Sequence, residues 1–301
     1  MSMHVPSTLN FHAATRAWES RAVGAPTLRG RRLDRDAPCL HFVHGNGFCG
    51  GTYWPFLRGL SGDYYGLFCH DLEGHGSSDA PARFSGIRTL VRRIGSVIAE
   101  QDLPRPGQPL IGVGHSFGGA LTVRAAAAQP DLFRALVLLD PILIPPLPWA
   151  LLKIGTAAGR NPMSHAARRR RTLWPSADAV FHALHDRGTY RGWTDEALRC
   201  FVDYATHDTP DGRRLSCPPE LEASIFEHPV YPWRALRRLR CPVLFIYGRD
   251  SYPFMPGAAA RAARIHPGIE IRDLEGGHCF MLEHPVETAR TVRQWLQGLQ
   301  L

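Results

Sequence analysis

Short apolar runs alternate with longer segments of helical periodicity along most of the chain. Six runs bounded by Gly, Pro or Asp have the length and composition of strands buried on both faces of a parallel sheet. They are Leu40–Val43, Tyr65–Cys69, Leu110–Val113, Ala135–Leu139, Val243–Tyr247 and Ile269–Ile271. The helical segments are Thr89–Gln101, Gly118–Ala128, Ala258–Ile265 and Val286–Gln297. This alternation predicts an α/β fold with helices on both faces of the sheet, and the residues up to about Asp36 predict one or two antiparallel edge strands.

The alternation is interrupted between residues 144 and 240. This stretch opens with three prolines and then predicts helices at Ala177–His185, Asp195–Tyr204 and Pro219–Glu227. Ser176 and Thr194 are suited to cap the first two of these helices. Strand-like sequence resumes at Cys241. We therefore predict a core domain of residues 1–143 and 241–301, interrupted by a helical insertion at residues 144–240.

Composition narrows the class of protein. Hydrophobic residues make up 44% and charged residues 21% of the 301 positions, which is ordinary for a globular protein. The net charge is +8, but the arginines are mostly scattered, and the dense run at 168–171 is predicted to be a solvated helix face. No nucleic-acid-binding motif accompanies that charge, so nucleic acid is not an expected partner.

Cysteine usage and hydropathy bear on the compartment. Seven cysteines without paired short spacings predict buried free thiols. No signal peptide or transmembrane segment is evident, so the expectation is a cytoplasmic protein. The sequence is silent on oligomeric state.

The strongest chemical signal is a G-x-S-x-G motif, Gly114-His115-Ser116-Phe117-Gly118. It lies between a predicted strand and a predicted helix, which is the context in which this motif presents a nucleophilic serine. The same segment lacks the third glycine of a dinucleotide loop, and no phosphate-binding or zinc-binding motif accompanies it. No cofactor or metal is expected.

A serine nucleophile needs a base and an acid that orients the base. His278, in Gly276-Gly277-His278 after the last predicted strand, is the predicted base. Asp250 is the favoured acid because it follows the Val243–Tyr247 run, at the edge where open α/β sheets bind ligands. Asp140, at the end of Ala135–Leu139, is its rival.

An acyl-transfer site also needs N–H donors for the oxyanion. The backbone N–H groups of Phe117 and Asn46 are predicted to supply them, the latter from the loop His44-Gly45-Asn46-Gly47-Phe48. Side chains beside the motifs or at the start of the insertion are predicted to contact substrate. They are Phe48, His115, Trp149, Phe280 and Met281.

These segments together resemble the α/β-hydrolase superfamily. The matching motifs, which follow the family's order, are His44-Gly45-Asn46-Gly47, Asp71-Leu72-Glu73-Gly74-His75-Gly76-Ser77-Ser78, Gly114-His115-Ser116-Phe117-Gly118-Gly119, Tyr247-Gly248-Arg249-Asp250 and Gly277-His278. The resemblance implies a mostly parallel eight-stranded sheet flanked by helices, with the insertion as a cap over the site. It gives the segment 71–78 a structural role. Haloalkane dehalogenases and epoxide hydrolases use an aspartate nucleophile, so Ser116 argues against both chemistries.

The function predicted from the sequence is a serine hydrolase that cleaves an ester or similar acyl bond of a small, largely apolar substrate. Cofactor-free haloperoxidases and C–C bond hydrolases also keep a serine triad. Some members of the superfamily keep the triad and act as ligand receptors. Turnover of an ester panel would favour an enzyme, whereas saturable binding without turnover would favour a receptor.

Overall fold

The four central strands of the main sheet are buried along their whole length. The structure is a computed structural model that describes residues 10–299. Its strands are β1 (Arg16–Ser20), β2 (Leu28–Leu33), β3 (Cys39–Val43), β4 (Gly66–His70), β5 (Leu110–His115), β6 (Ala135–Leu139), β7 (Leu173–Trp174), β8 (Thr206–Thr209), β9 (Gly212–Leu215), β10 (Val243–Gly248) and β11 (Ile269–Leu274). Every residue of β3, β4, β5 and β6 is buried, as expected for strands covered on both faces.

Helices cover both faces of the main sheet and fill most of the insertion. They are α1 (Phe11–Ala14), α2 (Trp54–Ser61), α3 (Ile87–Glu100), α4 (Ser116–Ala128), α5 (Pro146–Ala157), α6 (Pro162–Arg168), α7 (Ala177–Leu184), α8 (Asp195–Tyr204), α9 (Pro219–Glu227), α10 (Trp233–Leu236), α11 (Met255–Ile265), α12 (Phe280–Glu283) and α13 (Pro285–Gly298). The hydrophobic core forms two clusters of buried residues.

The main sheet has eight strands in the order β1-β2-β4-β3-β5-β6-β10-β11. Only β2 runs against the others, because it pairs antiparallel with both β1 and β4. The predicted α/β fold class, with its mostly parallel eight-stranded sheet and antiparallel edge, is confirmed. The predicted Ile269–Ile271 run was too short, because β11 alternates exposed and partly buried residues up to Leu274 and has no continuous apolar signal there.

The register of the parallel strands determines which residues meet at the carboxyl ends of the strands. Val43 pairs with Gly114, His115 pairs with Leu139, and Leu139 pairs with Ile246. The loops that follow β3, β5, β6 and β10 therefore leave the sheet side by side. Ser116, the residue that follows β5, lies at this carboxyl-terminal end of the sheet.

The insertion between β6 and β10 contains α5 to α10 and a three-stranded antiparallel sheet of order β7-β9-β8. The predicted caps are confirmed, because the Ser176 and Thr194 side chains accept from the N–H groups of Ala179 and Ala197. The small sheet was not predicted, since its strands are only two to four residues long and mostly polar. The domain limits at 143/144 and 240/241 stay a prediction, and residues 1–9 and 300–301 lie outside the described part.

All seven cysteines are free and buried, as predicted. Between residues 10 and 299, no helix has both the length and the apolar character needed to cross a membrane.

Candidate active site

Ser116 stands at the turn between β5 and α4, with a backbone φ of 54°. This left-handed conformation is rare for a residue with a side chain and is typical of strained functional turns. The tight packing around the turn requires its glycines. A Cβ on Gly118 would lie 2.2 Å from the carbonyl oxygen of Val43, and one on Gly114 would lie 2.7 Å from that of Gly118. The turn thus presents Ser116 at the start of a helix, where N–H groups have no partner inside the helix.

His278 connects Ser116 to a buried carboxylate. Its Nε2 lies 2.9 Å from the Ser116 Oγ, and its Nδ1 lies 2.6 Å from Asp140 Oδ2. An ionised carboxylate only accepts, so Nδ1 carries the proton and Nε2 is free to accept the serine proton. Asp140 is fully buried and takes a φ of 43° at the end of β6. Its oxygens also accept from Gly248 N–H at 2.9 Å and Ser251 Oγ at 2.5 Å.

The predicted assignment of Asp250 as the partner of His278 is wrong. Asp250 follows β10, but its side chain is exposed and makes no hydrogen bond or ion pair with any residue between 10 and 299. Only its backbone N–H is engaged, by Gly276 O at 3.0 Å. The carboxylate that meets His278 comes one strand earlier, from the rival Asp140, because β6 is the neighbour of β5 in the sheet while β10 is one strand further away.

Sequence reasoning missed two residues that hold this arrangement. Ser251 supports Asp140, and Glu283 accepts from the Gly277 N–H at 3.0 Å beside His278. Neither belongs to a recognisable motif, and only the folded arrangement brings them to the site.

The β3 loop (residues 44–48), which contains the predicted oxyanion donor Asn46, is held by hydrogen bonds to the core and to the insertion. The N–H of Gly45 donates to Tyr53 Oη at 3.2 Å, and the N–H of Gly47 donates to His75 Nε2 at 3.1 Å. Both neighbours of Asn46 are therefore held by hydrogen bonds, which fix the backbone on either side of this residue. The Asn46 side-chain amide donates to the Glu222 carbonyl oxygen at 3.0 Å and so fastens this loop to α9.

Two buried, neutral histidines, His44 and His75, hold the β3 loop by hydrogen bonds. His44 lies 2.8 Å from Gly45 O through Nδ1, and its Nε2 accepts from Leu72 N–H at 2.9 Å. Burial lowers the pKa of His44 to about 4 and that of His75 to about 3. Each ring nitrogen that accepts a backbone N–H would become a second donor on protonation. The segment 71–78 thus contacts the site through His75, next to the loop that holds Asn46.

His115, predicted to touch substrate, is fully buried and links two loops instead. Its Nε2 lies 2.9 Å from the carbonyl oxygen of His278, which can only accept, so Nε2 carries the proton. Burial lowers the pKa of His115 well below 6.5, and its neutral Nδ1 accepts from Tyr53 Oη at 2.7 Å. A continuous chain therefore runs from the Gly45 N–H through Tyr53 and His115 to the backbone of His278.

A cavity of about 400 Å³ opens onto Ser116 between the core and the insertion. His278, Asn46, Phe117 and the predicted substrate residue Phe48 line it, and most other lining side chains are apolar. The cavity lies at the sheet edge that the strand register defines. Among residues 10–299, no group of three or more His, Cys, Asp or Glu side chains is arranged to hold a metal ion.

Three predicted substrate contacts are corrected. Phe280 and Met281 are fully buried in α12, within the core and away from the cavity. Trp149 lies outside the cavity lining and donates from Nε1 to Pro229 O at 3.1 Å. Sequence reasoning placed them near the site because they adjoin its motifs, but adjacency does not determine the direction of a side chain.

Two of the four arginines at residues 168–171 are paired with α9. Arg168 contacts Glu220 at 2.9 Å and Glu227 at 2.6 Å, and Arg170 contacts Glu222 at 2.8 Å. Arg170 and Glu222 both line the cavity, so their opposite charges offset each other there. The cavity wall therefore has no net excess of charge from this pair.

Comparisons with known proteins agree with this fold. The sequence model of the alpha/beta hydrolase family matches residues 42–291. The chain is 32% identical to the abhydrolase domain-containing protein AKT2 of Alternaria alternata in an alignment 231 residues long that covers 63% of this chain and 84% of that protein. It is 35% identical to human monoglyceride lipase over 107 residues, and thus spans only 35% of that lipase.

A solved structure of E-2-(acetamidomethylene)succinate hydrolase superposes with a TM-score of 0.76 at 23% identity, covering 94% of this chain and 99% of that one. That likeness shows the fold. Since the family match includes β5, β6, β10 and the loop that bears His278, this chain belongs to the alpha/beta hydrolase family.

Proposed function

We propose that this protein is a serine hydrolase that cleaves an ester or similar acyl bond of a small, largely apolar substrate through an acyl-enzyme intermediate. The observation that carries the proposal is the continuous contact of Ser116 with His278 and of His278 with Asp140, opening onto an apolar cavity. The match to the hydrolase family supports the reaction class. One relative is named monoglyceride lipase, a name that describes an ester-cleaving enzyme.

In the first half of the reaction, Ser116 Oγ attacks the acyl carbonyl carbon while His278 Nε2 takes the hydroxyl proton. The imidazolium that forms is stabilised by the Asp140 carboxylate. The carbonyl oxygen becomes an oxyanion, which receives hydrogen bonds from the N–H groups of Asn46 and Phe117. The bond to the leaving group then breaks, and His278 returns the proton to the departing oxygen.

In the second half, water attacks the acyl-enzyme. His278 Nε2 takes a proton from that water, the tetrahedral intermediate forms in the same oxyanion site, and the bond to Ser116 Oγ breaks. The proton passes back to Ser116, and the acid product leaves. The two N–H donors are fixed before the reaction, so they need no reorganisation when charge develops.

The cavity favours an uncharged acyl group. Its walls are mostly apolar, and the paired charges of Arg170 and Glu222 offset each other. A volume of about 400 Å³ suits a small organic molecule. We therefore expect neutral esters to be turned over in preference to esters of dicarboxylic acids.

Hydrolysis of a p-nitrophenyl ester series from acetyl to long acyl chains tests the proposal. We expect activity that peaks at one chain length and is lost in Ser116→Ala. Asp250→Asn serves as a matched surface control and keeps its activity. A folded protein that binds these esters saturably without turnover would overturn the proposal in favour of a ligand-binding role.

A further inference from the structure

One helix of the insertion exposes large apolar side chains on its outer face. Leu147, Leu151 and Ile154 of α5 are 70%, 60% and 66% exposed. Their spacing places them on one side of the helix, and we call these three residues the α5 ridge. No residue of α5 is fully buried, whereas α8 in the same insertion buries five. A contiguous exposed apolar surface on a monomer commonly marks an interaction site.

The α5 ridge adjoins the cavity. Leu152, the neighbour of Leu151 in sequence, lines the cavity wall. Met163 at the start of α6 also lines the cavity and is 44% exposed, so it reaches from the cavity to solvent. Trp149 fastens α5 to the segment after α9 through its bond to Pro229 O. Helix α5 therefore places apolar side chains both on its exposed ridge and in the wall of the cavity that contains Ser116.

The segment of chain that contains the α5 ridge carries charge of one sign. Residues 141–177 contain no Asp or Glu and six basic side chains. Arg168 and Arg170 are paired with glutamates of α9. Lys153, Arg160 and Arg169 are exposed and form no ion pair with any residue between 10 and 299. The surface thus combines apolar side chains with unpaired cations, the combination that binds anionic lipid surfaces.

We propose that the α5 ridge and its flanking cations dock this protein on an anionic lipid surface, next to the entrance of the cavity. The ridge enters the interface between headgroups and acyl chains, and the cations contact lipid phosphates. A second copy of the chain is a poorer occupant, because a two-fold contact would bring the unpaired cations of the two copies together. The docking stands by itself; delivery of a lipid-soluble ester to Ser116 rests on the proposed function.

Sedimentation with vesicles tests the docking. The full chain is mixed with vesicles of phosphatidylcholine alone or of phosphatidylcholine with phosphatidylglycerol. We expect binding to the anionic vesicles that weakens as salt is raised. The triple variant Leu147→Ser, Leu151→Ser, Ile154→Ser is expected to lower the binding constant about tenfold or more. Lys153→Glu with Arg160→Glu is expected to remove the preference for anionic lipid.

Matched controls make the result specific to α5. Val23 and Val286 are exposed valines elsewhere, at 108% and 77%, and their replacement by serine should leave binding unchanged. Circular dichroism checks the fold, and the single variant Leu151→Ser replaces the triple variant if the latter unfolds. Ser116→Ala should still bind vesicles. Vesicle binding therefore tests the docking, and ester hydrolysis tests the proposed chemistry, so the two proposals can fail separately.

Two outcomes overturn the proposal. One is a wild-type protein that stays in the supernatant with both kinds of vesicle, or ridge variants that bind as well as the wild type. The other is light scattering that shows a dimer for the wild type and a monomer for the ridge variant, because the ridge would then join two copies of the chain.

Discussion

Replacement of Asp140 by Asn, compared with the same change at Asp250, separates the two carboxylates by function. Asp140 is fully buried and accepts hydrogen bonds from Gly248, Ser251 and His278. An asparagine keeps the size but has a single oxygen. If that oxygen stays on the fixed N–H of Gly248, the amide NH₂ faces His278 Nδ1. The imidazole must then move its proton to Nε2, which can no longer accept from Ser116.

The expected magnitude follows from that change of tautomer. The corresponding replacement in a serine protease lowers kcat about 10⁴-fold, and we expect a loss of about 10³- to 10⁴-fold here, or about 4–5.5 kcal/mol of barrier. The free energy of unfolding should fall by only about 1–3 kcal/mol, because one buried hydrogen bond is disturbed. Asp250→Asn changes an exposed side chain, so its kcat should stay within about twofold.

The assay is steady-state hydrolysis of a p-nitrophenyl ester by both variants and the wild type, with unfolding in urea as the check on folding. The reasoning is refuted if Asp140→Asn retains wild-type kcat while folded. It is also refuted if Asp250→Asn shows the larger loss, since the charge on His278 would then be stabilised from the other strand.

Three further predictions concern the residues that hold the site in place. Gly118→Ala places a Cβ 2.2 Å from a backbone oxygen and should cost about 3 kcal/mol or more in urea unfolding. Gly257→Ala, on α11 with open space, should stabilise by about 0.5–1 kcal/mol, and equal effects of the two changes would contradict the packing argument. Tyr53→Phe removes the hydroxyl between two loops; we expect kcat to drop about tenfold with KM within about twofold, and a change in KM alone would argue against a positioning role. Acid should destabilise the fold, because the folded pKa values of His44 and His75, about 4 and about 3, lie below the unfolded 6.5. Between these values the folded state binds fewer protons than the unfolded state, so both histidines should lower the free energy of unfolding as the pH falls from about 6 to 4. A urea midpoint that stays constant over that range would contradict this prediction.

The sequence allowed the sheet and the serine turn to be predicted for physical reasons that are local. Buried parallel strands are continuous apolar runs, and the turn at Ser116 needs glycine at 114 and 118 because backbone atoms approach within 3 Å of where a Cβ would be. The position of His278 after β11 followed from the order of motifs. These features need no knowledge of how strands are arranged side by side.

The acid and the substrate contacts depended on tertiary structure. Asp140 and Asp250 both follow strands, and only the strand order shows that β6 is beside β5. Phe280 and Met281 adjoin His278 in sequence yet point into the core. The short antiparallel strands of the insertion carried no apolar periodicity, so pattern analysis predicted only its helices.

Covalent labelling of Ser116 tests the central claim most directly. The protein is incubated with a neutral alkyl fluorophosphonate, and its intact mass and peptides are measured by mass spectrometry. Our account predicts one adduct per chain, located on Ser116, absent from Ser116→Ala and slowed strongly in Asp140→Asn. Labelling of another residue at the same rate, or no labelling of a folded protein, would contradict the assignment of Ser116 as the nucleophile.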